Sequence, residues 1–192
     1  MKTLLLATAL TASASMALAA ERYVLDSSHS QVVFSYNHLG YSTTFGMFSG
    51  FEGEIMFDQE DPTKSSVSVS MPTKSMFTGW EAREGHFMSA DFFGADDEDL
   101  ITFTSTGIEV TGEATAKITG DLTMNDTTKT VVLDAKVNLA NAYPFGENEG
   151  TLWAGFDATT TLKRSDFGLG AFAPAVSDEV NVMISIEAKH DG

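Results

Sequence analysis

Thr130-Val131-Val132-Leu133-Asp134-Ala135-Lys136-Val137-Asn138-Leu139 decides the fold of this chain. Val131, Leu133, Ala135, Val137 and Leu139 alternate with Thr130, Asp134, Lys136 and Asn138. Successive side chains of a strand point to opposite faces, so this stretch describes a strand with one apolar and one wet side. The same period recurs outward in both directions. Val67, Val69 and Met71 interleave with serines, and Val180, Val182, Ile184 and Ile186 interleave with Asn181, Ser185 and Glu187. Many such strands in a domain of this size predict an all-β sandwich or a closed barrel. A closed barrel has an apolar interior able to hold a ligand as well as a core.

Walking the chain places strands at Tyr23–Leu25, Gln31–His38, Phe45–Phe57, Ser66–Met71, Ile101–Thr106, Ile108–Val110, Ala114–Met124, Thr130–Ala142, Leu152–Leu162 and Asp178–Lys189. That is about eight to ten strands, mostly antiparallel and locally connected. Within Phe45–Phe57, Gly50 and Gly53 predict bulges or tight bends. Asn125–Thr128 predicts a hairpin loop. From Trp80 to Phe93 the alternation lapses, and Trp80 to Glu84 suits one short helix or helical cap.

The first residues stand apart from the sheet. Lys2 is followed by the apolar run Leu4–Leu10 and by Ala17-Leu18-Ala19, a small-x-small pattern. This predicts a secretory signal peptide over residues 1–19, with one domain over 20–192 and export out of the cytoplasm. The chain has no Cys, which excludes disulfides, thiolate metal sites and a Cys nucleophile. Charge is lopsided. Without Lys2 there are 10 Lys and Arg against 27 Asp and Glu, a formal −17. Such a surface repels nucleic acid and anionic headgroups.

Candidate chemistry is sparse. The four His lack helical metal-ligand spacing, and His29 and His38 sit at opposite ends of one strand, so no metal site is predicted. Asp26, Ser27, Ser28 and His29 supply the residue types of a hydrolytic triad, but neighbours on one turn are expected to cap that turn instead. No catalytic residue and no cofactor is assigned. The 14 Phe exceed what a small barrel strictly needs; most are read as core and a subset as the mouth of an apolar pocket.

A series of short motifs then carries a family resemblance. They begin with Tyr23-x-Leu25-Asp26-x-x-His29-Ser30-x-x-x-Phe34, His38-Leu39-Gly40 and Gly46-x-Phe48-Ser49-Gly50-Phe51-x-Gly53. Arg83-x-x-His86-Phe87, Asp91-Phe92-Phe93, Ile101-Thr102-Phe103-x-Ser105 and Gly120-Asp121-Leu122-Thr123 follow, with Arg164-Ser165-Asp166-Phe167-Gly168 and Asp178-Glu179-Val180 last. In this order, behind a signal peptide, they resemble the YceI-like family over nearly the whole domain. Asn125-Asp126-Thr127, Phe87 and the loop around Trp80 depart from the family pattern.

The resemblance implies a lipocalin-like antiparallel β-barrel with one or two short helices. It implies a periplasmic binder or carrier of a polyprenol or an isoprenoid quinone, held in an apolar tunnel. Phe34, Tyr36, Phe48, Val69, Phe103, Ile118, Leu122, Leu133, Phe156, Ile184 and Phe167 are expected to contact the ligand, with Arg83, His86 and Arg164 near the mouth. With so few basic residues, a neutral quinone head is easier to accommodate than a pyrophosphate. Two other readings stay open: a ligand-free interaction or stress-response module supporting a membrane redox partner, and a lipid-modifying enzyme. The sequence does not decide between a monomer and a homodimer.

Overall fold

The computed structural model describes residues 20–192, so the expected signal peptide lies outside the described residues. The strands are β1 (Glu21–Leu25), β2 (Gln31–His38), β3 (Ser42–Phe48), β4 (Glu52–Phe57) and β5 (Ser66–Pro72), then helix α1 (Glu81–Phe87). β6 (Leu100–Val110), β7 (Thr115–Met124), β8 (Thr127–Ala142), β9 (Leu152–Lys163) and β10 (Glu179–His190) complete the chain. Short 3-10 turns include Thr73–Ser75 and Arg164–Phe167. No described helix is long and apolar enough to cross a membrane.

The sheet order is β1-β4-β5-β6-β7-β8-β9-β10, and β1 pairs back with β10 to close an eight-stranded antiparallel barrel. β2 and β3 are two extra strands, a hairpin attached to the other half of β10. β1 and β2 therefore share one neighbour. The turn Asp26–Ser30 steps the chain along β10, and Asp26 N donates to Glu187 O at 2.9 Å.

The stretch read as one strand, Phe45–Phe57, is two strands with different partners. β3 pairs with β2, whereas β4 pairs with β1 and β5. The chain changes partner at Gly50, whose φ of +69° a side chain tolerates poorly. Conversely, Ile101–Thr106 and Ile108–Val110 are one strand carrying an irregularity between Ser105 and Gly107. A second irregularity between Val137 and Leu139 reverses the alternation of β8. Leu139, expected on the apolar face, is 65% exposed as a result, and Ala140 turns inward instead.

The two ends of the barrel differ. One end carries the β2–β3 turn, α1, the β7–β8 turn and the β9–β10 loop. The other carries the β4–β5, β6–β7 and β8–β9 connections and both ends of the described chain. At this second end Tyr23, Ile55, Phe57, Ala154 and Ala188 form a dry core. Tyr23 and Phe57 meet edge to face at 6.0 Å, and Phe57 meets Phe156 at 5.2 Å.

Candidate ligand-binding site

Strand alternation aims Val67, Val69 and Met71 of β5, Ile118 and Leu122 of β7, Leu133 of β8 and Ile184 of β10 at the barrel axis. These side chains are only half-buried. The contact they lack is with each other across an apolar cavity of about 840 Å³. That volume lies within the range of small-molecule sites. Its floor is the aromatic plug of Tyr23, Phe57 and Phe156. The solvent-exposed members of its lining are His38, Leu39, Ser42, Trp80, Ala82, His86, Phe172 and Ala175. All of them belong to the α1 end, so the cavity opens there and nowhere else along its lining.

Most of the expected ligand contacts converge on this cavity. Phe34, Tyr36, Phe48, Val69, Phe103, Ile118, Leu122, Leu133 and Ile184 line it, as do Arg83, His86 and Arg164. Phe34 and Phe48 lie against each other at 5.5 Å, and Tyr36 meets Phe87 of α1 edge to face at 6.1 Å. Two expected contacts lie elsewhere. Phe156 faces inward but packs within the plug against Phe57 and does not line the cavity. Phe167 is 1% exposed behind the Arg164–Phe167 turn, whose Phe167 carbonyl accepts from Asn125 Nδ2 at 2.9 Å. Leu169, two residues on, reaches the cavity in its place.

Several lining residues were not foreseen. Val32 and Met71 continue alternations that were legible, so the signal existed. Leu39, Trp80 and Phe172 stand on loops, where no period marks an inward side chain.

Arg164 is at the cavity wall but is not free to meet a charged ligand. Its Nε donates to Ser177 O at 2.8 Å, Nη2 to Val176 O at 2.8 Å, and Nη1 to Ala171 O at 2.7 Å and to Leu169 O. Four carbonyls thus take four of the five guanidinium N–H groups and tie the β9–β10 loop into shape. Burial pushes the Arg164 pKa down, countered by Asp178. Asp178 also accepts from Ser165 Oγ at 2.6 Å and Ser165 N at 2.9 Å, and the hydroxyl bond leads in holding its carboxyl below the usual range.

The polar groups at the opening itself are Arg83 and His86. Arg83 lies 5.5 Å over the Trp80 ring and donates to Thr78 O at 3.3 Å. His86 Nε2 is 3.2 Å from Asp91 Oδ2, and its ring meets Phe92 at 5.1 Å.

The Asp26–Ser28–His29 group lies on the outer face, away from this cavity. Asp26 Oδ1 accepts from Ser28 N at 2.9 Å and Ser28 Oγ at 2.7 Å, an Asx turn. His29 Nδ1 is 2.6 Å from Asp26 Oδ2 and 3.1 Å from Ser28 Oγ. A relay places the orienting carboxylate and the nucleophile on opposite nitrogens of the histidine; here Asp26 and Ser28 both crowd Nδ1. Glu187 joins Asp26 and His29 within 4.8 Å. The hydrogen bond to Asp26, then the nearby charges of Asp26 and Glu187, raise the His29 pKa.

Comparison with known proteins agrees with this architecture. The YceI-like domain model matches residues 23–188. A UPF0312 protein of Ectopseudomonas mendocina is 42% identical over 173 residues, 89% of this chain and 88% of its own length. One from Pectobacterium carotovorum is 39% identical over 97% of this chain and 96% of its own. Among solved structures, the Campylobacter jejuni YceI protein superposes with a TM-score of 0.71 at 29% identity, covering 81% of this chain and 90% of its own. Burkholderia cenocepacia BcnA gives 0.75 at 24% identity, covering 85% and 99%. A polyisoprenoid binding domain from Saccharophagus degradans gives 0.67 at 15% identity, covering 88% and 98%; at this identity the likeness is one of fold. With its domain matched from Tyr23 to Ala188 and its barrel shared, the chain belongs to the YceI-like family.

Proposed function

We propose that this protein binds and carries a long-chain isoprenoid lipid, a polyprenol or an isoprenoid quinone, across the periplasm. The observation that carries the reading is the apolar cavity of about 840 Å³, open at one end of a barrel whose other end is plugged. A YceI-like fold that serves polyisoprenoid binding in a relative supports it. Each buried CH₂ contributes roughly 0.8 kcal/mol, so a few isoprene units supply enough apolar burial for tight binding even after the chain is ordered.

The polar geometry favours a neutral head group. A pyrophosphate needs free cationic donors in a cluster. Arg164 is spent on backbone carbonyls, which leaves Arg83 and His86 at the opening, and His86 is already beside Asp91. A quinone carbonyl needs only a hydrogen-bond donor. Delivery to a membrane redox protein is consistent with such cargo.

Organic extraction and mass spectrometry of protein purified from its own periplasm tests this. A stoichiometric isoprenoid is expected, and it is lost in Leu133→Glu, which places a charge on the half-buried cavity wall. Empty wild-type protein that also takes up no added quinone or polyprenol refutes the reading.

A further inference from the structure

We propose that the open end of the barrel is a bilayer-docking surface, and that its partner is an electrically neutral phospholipid surface. The inference rests on the lipid-carrier reading and adds how cargo enters and leaves. Its core is a lip formed by two hydrogen-bonded loops. Leu39 N, in the β2–β3 turn, donates to Ala175 O at 3.0 Å, and His38 bridges to Val176. Along this lip Leu39 is 48% exposed, Tyr41 90% and Phe172 57%, with Trp80 at 61% beside α1. Leu39, Trp80 and Phe172 also line the cavity, so apolar surface continues from its interior to the outside between the polar groups His38, Arg83 and His86.

Charge says what covers this surface. The chain carries 27 Asp and Glu, yet residues 27–51, 75–80 and 167–177 contain no Asp, Glu, Lys or Arg. Within them the β2–β3 turn, Trp80 and residues 168–177 build the lip; α1 beside them carries Glu81, Arg83 and Glu84. A protein interface is ringed by charged and polar groups; a stretch of rim free of charged residues and tipped with Leu39, Tyr41 and Phe172, with charge confined to the α1 side, matches the lipid headgroup–acyl boundary. The acidic run Asp96–Asp99 lies at the same end but before β6, across the barrel from β10. It repels anionic lipid and leaves neutral lipid unaffected. A second copy of the chain, with the same net negative charge, is repelled likewise.

The backbone adds a third observation. Among described non-glycine residues, positive φ occurs at Leu39 (56°), Asn125, Asp126 and Phe172 (62°). Asn and Asp tolerate that region; Leu and Phe do not. Two large apolar side chains are held outward, at the lip, in strained backbone, and such strain collects at functional sites.

The test uses the full mature protein and vesicles. In Trp153→Phe, Trp80 is the sole tryptophan of the two in the chain. Flotation with phosphatidylcholine vesicles and quenching of Trp80 by brominated acyl chains are expected. Phosphatidylglycerol vesicles should bind more weakly, by a margin that shrinks with salt. Tyr41→Glu, which changes a lip residue outside the cavity, should lower vesicle partition at least tenfold while uptake of quinone from detergent micelles is unchanged. Tyr41→Ser, which removes the ring at an exposed position outside the cavity and adds no charge, gives a second variant whose fold is not at risk. Protein that takes up micellar quinone but never floats overturns the docking proposal and leaves carriage standing. Protein that floats but takes up neither quinone nor polyprenol supports docking and removes the carrier reading. A dimer that Tyr41→Glu dissociates, without flotation, assigns the lip to a second copy and overturns the proposal.

Discussion

Two alanines on one strand separate a ligand cavity from a packed core. Ala154 and Ala158 both lie on β9 and both face inward. Ala158 pairs across to Ala135 and Ile184 and lines the cavity; Ala154 pairs to Ala140 and Ala188 and is 1% exposed. Ala158→Phe sends a ring into the open space. A buried Phe covers about 150–250 Å², so roughly 100 Å² of new apolar contact at about 25 cal/mol per Å² is worth ~2.5 kcal/mol. Fixing the ring costs ~0.5–1 kcal/mol, leaving a gain of ~1.5–2 kcal/mol. For a domain of this size that raises Tm by about 3–8 °C. Ala154→Phe instead overpacks a filled site and costs about 1–3 kcal/mol or more.

The assay is thermal denaturation of delipidated protein, because a bound ligand adds its own stabilisation by mass action. Quinone uptake is read in parallel. Ala158→Phe should raise Tm and reduce uptake, since ring and lipid compete for the same wall; Ala154→Phe should lower Tm. Equal losses of Tm at both positions, with uptake unchanged in Ala158→Phe, would falsify the cavity and return the upper barrel to ordinary core.

Three further outcomes follow from particular contacts. A Cβ on Gly46 would stand 2.3 Å from Phe34 Cζ, so Gly46→Ala should cost about 1–3 kcal/mol; Gly107→Ala, with no atom within 4 Å, should leave the urea midpoint unmoved. Arg164→Met strands four carbonyls and should cost at least about 3 kcal/mol, with Lys recovering only part; intact stability with lost ligand binding would make Arg164 a ligand group instead. The folded Asp178 pKa is depressed, so its contribution is present above the unfolded value of about 3.9 and is lost as pH falls through the folded value. Asp178→Asn should therefore flatten the acid limb of the stability profile, and an unchanged limb assigns the acid sensitivity to other carboxylates.

What was legible in the sequence is what local periodicity records. β2 was read with its observed ends, Gln31 and His38, because three inward residues alternate between two turns. Pairing is non-local, and alternation carries no record of it. Nothing in the alternation of Phe45–Phe57 says that the chain changes partners at Gly50. One inserted residue beside Asn138 reversed the face of Leu139. Phe156 was placed on the correct face but at the wrong depth, since a period of two gives direction and not height along the barrel axis. Phe167 was read from a loop motif, where no period orients the side chain. The apolar lip escaped for the same reason, although the uncharged run from Ser27 to Phe51 was in plain view.

Height along the axis is also how this barrel divides its tasks. At the plugged end, Tyr23, Ile55, Phe57, Ala154 and Ala188 are buried to the point where only close packing can explain them. At the open end, equally apolar and equally inward residues such as Ile118, Leu122, Leu133 and Ile184 remain half-accessible. A barrel built only to be stable gains by filling that space, because each unfilled site forfeits contact energy. The chain leaves it open and tolerates left-handed Leu39 and Phe172 above it. The closely packed side chains lie in the lower half, and the upper half retains apolar surface that the proposed lipid would cover. Lipid should accordingly raise Tm, and it should do so by stabilising the β9–β10 loop and α1 end first. Hydrogen exchange on loaded and delipidated protein resolves this: protection gained around Arg164–Val176 and α1, with the Tyr23–Phe57 end unchanged, is the expected pattern. Uniform protection along every strand would mean that the guest acts on a single cooperative core.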